Sequence, residues 1–185
     1  MTILAPADKE ELELMMEYAM TLEGPCAIRY PRGEAYDGLS EFRAPIAFGK
    51  GELLYEESGI ALIALGSMVK TAESVREALK KAGYSCTLVN ARFAKPFDEE
   101  LLLNLSKNHT LFVTLEENVA CGGFGERVLA FLFRHGISKV LNIAIPDDYV
   151  EHGNVELLRK EVGLDEDSIT ERILEELNRI EKAES

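Results

Sequence analysis

Two arginines around a Tyr-Pro step are the residues of this sequence best suited to chemistry. They lie in "AIRYPRGEAY", where Arg29 and Arg32 follow an apolar stretch. Pro31 biases Tyr30 toward an extended backbone and removes a backbone donor, so we expect the chain to leave its sheet here. A guanidinium held by a stiff backbone can meet two oxygens of a phosphate or carboxylate in one plane. The pattern therefore indicates a site for an anion.

A second interpretation of the same arginines stays open. Acidic residues are abundant in the chain, and each arginine can simply pair with a nearby carboxylate. Residues three apart in a straight strand also point to opposite faces, so Arg29 and Arg32 need not serve one site.

The stretch "EENVACGGFGERV" is another candidate site. Glu116 and Glu117 end an apolar strand, and the glycines within Gly122–Gly125 precede a helix, as in a turn that holds a phosphate. The turn lacks the full G-x-G-x-x-G spacing and the lysine of a P-loop, and two glutamates would repel a phosphate. We therefore favour a tight turn packed against a partner. Within it, Cys121 is either an activated thiol at a helix start or, as we expect, a packed small residue.

The histidines and cysteines predict neither a catalytic nor a metal site. His109, His135 and His152 have no serine or cysteine nucleophile at a recognisable elbow. The three cysteines are scattered, without a C-x-x-C pair or a histidine at the spacing of metal ligands. Reduced thiols in a cytoplasmic protein are the expectation.

Charge and length exclude several functional classes. The chain has 185 residues, 46% of them hydrophobic, and a net charge of −13. Its field would repel nucleic acid or an anionic bilayer, and we see no local basic patch that would override it. No apolar run approaches the roughly 20 residues of a membrane span. We expect neither a nucleic acid nor a membrane as partner.

Residues 59–185 show the pattern of one complete α/β domain. Apolar strands such as "IALIALGS", "CTLVNARF", "TLFVTLEEN" and "KVLNIAIPD" alternate with amphipathic helices. This pattern predicts an open, mostly parallel sheet with helices on both faces. Asp98 is placed to cap one helix, and Asp167 or Ser168 to begin the last.

Residues 1–45 do not continue that series. "TILAP" and "PCAIRY" indicate two strands, and Asp8 with Glu11 forms a capping-box pattern before the helix between them. Such a β-α-β piece cannot bury its own faces, so it is predicted to be the remnant of a second α/β domain. Residues 46–58 are rich in glycine, and we expect a linker with a short hairpin around "GKGELL".

Several motifs in this order closely resemble one enzyme family. "RYPRG", "GKGELL", "ARFAKPFDEELL", "TLEENVACGGFGERV", "LNIAIPDDYVEHG" and "LLRKEVGLDEDSI" are similar to the carboxyl-terminal third of the 1-deoxy-D-xylulose-5-phosphate synthases. The resemblance covers essentially the whole chain. It implies that residues 1–45 are the end of the pyrimidine-binding domain and that residues 59–185 are the transketolase C-terminal-like domain.

The resemblance also implies a reaction and its participants. Enzymes of this family decarboxylate pyruvate and join it to D-glyceraldehyde 3-phosphate, using thiamine diphosphate and Mg²⁺, on the methylerythritol phosphate route to isoprenoids. In the family, the arginine after the Tyr-Pro step, here Arg32, is implicated in holding the phosphate of glyceraldehyde 3-phosphate, with Arg29 as its neighbour. The family's cofactor residues lie upstream and do not occur in this sequence. We therefore expect the chain alone to bind no cofactor and to be inactive, and to need the upstream domains of the same enzyme in a homodimer.

Two other functions stay open. The chain can be the carboxyl-terminal subunit of a split transketolase or of a two-oxoacid dehydrogenase. It can also be a free-standing dimerisation or regulatory module without a catalytic role, although such a module has no need of half a domain.

Overall fold

The computed structural model describes residues 1–32, 36–39, 41–42 and 44–184. The strands are β1 (Thr2–Leu4), β2 (Cys26–Ile28), β3 (Glu52–Tyr55), β4 (Gly59–Ala64), β5 (Cys86–Asn90), β6 (Phe93–Lys95), β7 (His109–Val119) and β8 (Val140–Ile145). The helices are α1 (Lys9–Ala19), α2 (Met68–Lys81), α3 (Glu99–Leu105), α4 (Phe124–Arg134), α5 (Val155–Glu161) and α6 (Glu166–Glu184). The alternation of strands and helices follows the expectation from the sequence.

The larger sheet has five strands in the order β3-β5-β4-β7-β8. β4 pairs in parallel with β5 and β7, and β7 pairs in parallel with β8, while β3 is antiparallel to β5. Parallel strands need crossovers, and helices supply them, so the chain alternates between sheet and helix. The predicted fold class, an open and mostly parallel sheet, is confirmed.

Helices cover both faces of this sheet, as predicted. On one face, α2 and α6 pack on alternate residues of β4, namely Ile60, Leu62 and Ala64. On the opposite face, α3 and α4 pack on the residues between them, Ala61 and Ile63. Successive side chains of a strand point to opposite faces, so a continuous apolar strand is what a sheet buried on both sides requires.

The smaller sheet completes the β-α-β piece at the amino terminus. β1 lies between β2, which is parallel to it, and β6, which is antiparallel. Leu4, Met15 and Phe93 form its buried core. Asp8 caps α1 by accepting from the Glu11 backbone N–H at 2.9 Å, as its pattern predicted. The third strand comes from residues beyond position 90, so the piece is supported by the following part of the chain.

Two predictions of local structure were wrong. The hairpin expected in residues 46–58 does not form, because β3 finds its partner in β5 rather than in a neighbouring stretch. The last helix is capped by neither Asp167 nor Ser168. Asp165 precedes the helix, and its carboxylate accepts from the Ser168 backbone N–H at 3.2 Å.

A buried charge cluster joins the two sheets. Arg92 is 1% exposed and donates to Glu11 at 2.8 Å and to Glu52 at 2.7 Å. The Asn90 amide also donates to Glu11, at 2.9 Å. Glu11 belongs to α1, Glu52 to β3, and Arg92 to the turn between β5 and β6, so one guanidinium connects three separate segments.

The three cysteines differ in their burial. Cys26, Cys86 and Cys121 are free. Burial raises the pKa of the Cys86 thiol to about 12, which makes it a poor nucleophile. Among the described residues, no helix is both long and apolar enough to cross a membrane.

The charge cluster leads to a prediction about stability. Arg92→Ala leaves two buried carboxylates without their cation, so we expect the free energy of unfolding to fall by about 3 to 5 kcal/mol. Urea unfolding followed by circular dichroism measures it. Arg179→Ala is the matched control, because that side chain is 76% exposed and its ion pair is worth at most about 1 kcal/mol. Equal losses in the two variants would contradict the role given to Arg92.

Candidate functional site

An open cleft of about 380 Å³ lies where strand ends from both sheets meet. The segment after β2, the turn between β4 and α2, the end of β7 and helix α5 all line it. β1, β2, β4 and β7 approach it with their carboxyl ends, which is where open α/β sheets bind ligands. The polar side chains of its lining are Arg29, Tyr30, Arg32, Ser67, Glu117 and Arg159.

The structure brings Arg29 and Arg32 to this one cleft. β2 ends at Ile28, so the alternation of a straight strand no longer applies beyond it. The Arg29 backbone N–H still donates to the Leu4 carbonyl at 2.8 Å, which fixes the point where the chain leaves the sheet. Their role as phosphate contacts stays a prediction.

Glu117 organises the cations around the cleft. Its carboxylate oxygen Oε1 lies 3.0 Å from both Nε and Nη2 of Arg159. The Ser67 hydroxyl donates to Oε2 at 2.7 Å. Arg29 reaches the same residue through another atom, because its Nη2 donates to the Glu117 backbone carbonyl. One residue at the end of β7 therefore contacts a side chain from each of three other segments.

The pairing with nearby carboxylates, left open from the sequence, is found for neither Arg29 nor Arg32 among the residues that the structure describes. Arg29 bonds to a carbonyl rather than to a carboxylate. Arg32 makes no hydrogen bond or ion pair with any residue that the structure describes, and its side chain faces solvent. Among the lining residues that the structure describes, three guanidinium groups thus face a single carboxylate, that of Glu117. The cleft is cationic although the chain as a whole is acidic.

The glycine turn is already occupied by a carboxylate of the chain. Glu116 accepts from the backbone N–H of Gly125 at 2.7 Å and of Phe124 at 2.9 Å, at the first turn of α4. A side chain on Gly123 would lie 2.6 Å from the Val119 carbonyl, so only glycine fits there. The turn is a tight strand-to-helix connection, as favoured from the sequence. Its backbone N–H groups at Phe124 and Gly125 already donate to Glu116, so they are not available to a phosphate.

The environment of Glu116 acts on its ionisation in opposite directions. Burial raises the pKa of this carboxyl, and the hydrogen bonds from Gly125 and Phe124 and the charge of Arg29 lower it, with a raised pKa as the net result. Cys121 in the same turn is exposed, so the expectation of a packed residue was wrong.

None of the three histidines is among the residues that line the cleft. His109 is buried, with Nδ1 2.7 Å from the Leu105 carbonyl and Nε2 2.8 Å from the Thr87 hydroxyl. His135 and His152 are exposed. In the described part of the chain, no three His, Cys, Asp or Glu side chains are grouped so that they could hold a metal ion.

Two residues of the cleft escaped the sequence analysis. Arg159 belongs to a short helix with an ordinary pattern of charges, and nothing local distinguishes it from a solvated side chain. Ser67 precedes α2, but its hydroxyl bonds to Glu117 instead of capping the helix. Only the parallel pairing of β4 with β7 brings these positions together, and sequence periodicity does not reveal a pairing partner.

Comparison with known proteins assigns the domain. Residues 49–169 match the family model described as the transketolase C-terminal domain. The chain is 54% identical over 175 residues to the 1-deoxy-D-xylulose-5-phosphate synthase of Lachnoclostridium phytofermentans, a match that covers 94% of this chain and 28% of that enzyme. The synthase of Heliobacterium modesticaldum is 40% identical over 179 residues, with 96% and 28% covered. The chain thus spans about a quarter to a third of the length of these relatives.

Solved structures show the same fold. A structure described as a split gene transketolase, inactive beta4 tetramer, superimposes with a TM-score of 0.89 at 24% identity and covers 96% of this chain and 58% of that one. A transketolase from Campylobacter jejuni superimposes with a TM-score of 0.70 at 18% identity, with 94% and 26% covered. At these identities the likeness concerns the fold alone.

The raised pKa of Glu116 predicts how stability depends on pH. A carboxyl whose folded pKa lies above its ordinary value of 4.5 favours the folded state most when it is protonated, and this contribution is lost as pH rises through the folded pKa. Glu116→Gln keeps an acceptor but removes the titration. We therefore expect the stability of the wild type relative to the variant to fall as pH rises above 4.5 and to level off once pH exceeds the raised folded pKa. Urea unfolding at several pH values measures the difference, and a difference that stays level would contradict the prediction.

Proposed function

The chain belongs to the transketolase C-terminal domain family, and on this premise we propose that it is the carboxyl-terminal part of a 1-deoxy-D-xylulose-5-phosphate synthase. The complete enzyme would decarboxylate pyruvate and join the remaining two carbons to D-glyceraldehyde 3-phosphate. The observation that carries the proposal is the 54% identity to such a synthase over 94% of the chain.

The arginine cleft supports the proposal independently of the sequence comparisons. The acceptor substrate carries a phosphate monoester, which is close to a dianion at neutral pH. The described residues that line the cleft offer three guanidinium groups against one carboxylate, so their summed charge is opposite in sign to the phosphate and similar in size. Arg32 is assigned as the principal phosphate contact, because none of its donors is used by a residue that the structure describes, and Arg29 is assigned as its neighbour.

Thiamine diphosphate and a divalent metal belong to the proposed reaction but not to the residues described on this chain. These residues do not fit the cofactor, because they group no metal ligands and because Glu116 takes the two amides at the start of α4 that could hold a diphosphate. We propose that the upstream domains of the same enzyme bind both groups, that the complete enzyme is a cytoplasmic homodimer, and that this chain alone is inactive.

A split transketolase is the second candidate. One structural neighbour is described as a split gene transketolase, and this chain covers a larger share of it than of the unsplit enzyme from C. jejuni. The synthases are much closer in sequence, which favours the first proposal. The two enzymes differ in their donor and acceptor substrates.

A chimera tests the proposal directly. We expect that this chain, joined in place of the matching segment of the L. phytofermentans enzyme, supports release of carbon dioxide from pyruvate when D-glyceraldehyde 3-phosphate is present. The isolated chain, assayed in parallel, should show no turnover. A folded chimera that uses xylulose 5-phosphate and ribose 5-phosphate instead would indicate a transketolase. A folded chimera inactive in both assays would contradict both enzymatic proposals and favour a dimerisation module.

The role of Arg32 leads to a second test in the same chimera. Arg32→Ala should weaken use of D-glyceraldehyde 3-phosphate by about 1.5 to 3 kcal/mol in kcat/KM, because hydrogen bonds to a charged group are lost. Use of pyruvate should barely change. Arg134→Ala is the control, since Arg134 is an exposed arginine in the last turn of α4. Equal losses for both substrates would count against the assignment.

A further inference from the structure

We propose that Arg159 is a third arginine of the phosphate site and determines the preference of the enzyme for a phosphorylated acceptor. This inference rests on the proposed function for the identity of the anion. Arg159 lies on α5, in a different part of the chain from the arginines that the family resemblance singles out, and lines the same cleft as Arg29 and Arg32.

The contacts of Arg159 leave donors for a ligand. A guanidinium has five N–H groups. Nε and Nη2 of Arg159 both lie 3.0 Å from a single oxygen of Glu117, which occupies one edge of the fork. The donors on Nη1 and the second donor on Nη2 are not needed for this contact. The side chain is 31% exposed in the cleft, so it is held in place and still accessible.

Glu117 serves as the positioning residue for this arginine. Its second oxygen accepts from Ser67, which fixes the carboxylate, and its backbone carbonyl accepts from Arg29. A carboxylate beside a phosphate is unfavourable by itself, but here it is outnumbered by the guanidinium groups that line the cleft. Among the described lining residues, the three guanidinium groups exceed the one carboxylate by two positive charges, which matches a phosphate monoester better than a singly charged carboxylate such as that of pyruvate.

The packing of α5 also supports a role for Arg159 at the cleft. No residue of this helix is fully buried; its apolar side chains Val155 and Leu157 are 58% and 69% exposed, and Leu158 is half-buried. The ion pair of Arg159 with Glu117 is a polar contact between this helix and the rim of the cleft. An anion bound by Arg159 would join the helix to the arginines on the opposite side, and α5 would become more stable when the site is filled.

Binding of an unreactive phosphate monoester tests the inference without relying on turnover. The chimera is titrated by calorimetry with sn-glycerol 3-phosphate, with glycerol as the uncharged comparison. Arg159→Gln should weaken binding of the phosphate compound about tenfold or more, since a charge-assisted contact is lost. Arg179→Gln is the matched control and should leave binding unchanged, because that arginine is exposed on α6 and does not line the cleft.

Two further measurements separate a ligand contact from a structural ion pair. Arg159→Gln should raise KM for D-glyceraldehyde 3-phosphate about tenfold but leave kcat, and KM for unphosphorylated D-glyceraldehyde, within about twofold. Hydrogen exchange should show that sn-glycerol 3-phosphate protects residues 155–161 in the parent chimera and not in the variant. If Arg159→Gln does not fold, Arg159→Lys keeps the charge and loses the planar fork, and binding should weaken by about threefold to tenfold.

The outcomes distinguish this inference from the proposed function. Unchanged binding of sn-glycerol 3-phosphate, or equal rises in KM for both acceptors, would overturn the role of Arg159 even if the chimera is an active synthase. A chimera that is inactive but loses phosphate binding with Arg159→Gln would support the inference while the proposed function fails.

Discussion

The buried guanidinium of Arg92 is the interaction on which the rest of the architecture depends. It lies between the carboxylates of Glu11 and Glu52, and its Nη2 also donates to the Ala44 carbonyl at 3.0 Å. The four carboxylate oxygens are each satisfied, because Ala7, Asn90 and Ala44 donate to them as well. Burying three charges is favourable only with such complete pairing. The cluster therefore holds the amino-terminal segment against the larger sheet in one arrangement.

The cleft is a consequence of that arrangement. Arg29 follows a strand of the smaller sheet, whereas Glu117 and Arg159 belong to the part of the chain that forms the larger one. Neither part provides the whole set of cations. A shift of the first segment by a few ångströms would separate Arg29 from the Glu117 carbonyl, so the geometry of the proposed anion site depends on a charge cluster that does not line it.

The adjacent glutamates at the end of β7, Glu116 and Glu117, have different partners. Glu116 is buried and binds the first amides of α4, while Glu117 is partly exposed and binds Arg159. Neighbouring residues of a strand point to opposite faces, which allows the two carboxylates to serve different surroundings.

The periodicity of the sequence reveals such a strand, and it was enough to predict the parallel sheet, the helices on both faces and the caps at Asp8 and Asp98. It did not reveal that β3 pairs with β5 or that β6 joins β1, because pairing over long distances leaves no local pattern. For the same reason Arg32 could be found from its motif and Arg159 could not.

The division of the cleft between two segments also bears on where specificity resides. The family model matches residues 49–169, which include Glu117 and Arg159 but neither Arg29 nor Arg32. The transketolase structures, at 18% to 24% identity, cover 94% to 96% of the chain, so the shared fold includes the segments on both sides of the cleft. Arg29 and Arg32 come from the segment that precedes the matched domain, and similarity to the synthases continues there, since that match covers 94% of the chain. In the proposed site, Arg159 of the matched domain and Arg29 and Arg32 of the preceding segment contact the phosphate together, so the domain family alone does not determine the substrate. The choice then depends on which segment the charge cluster around Arg92 holds against the sheet.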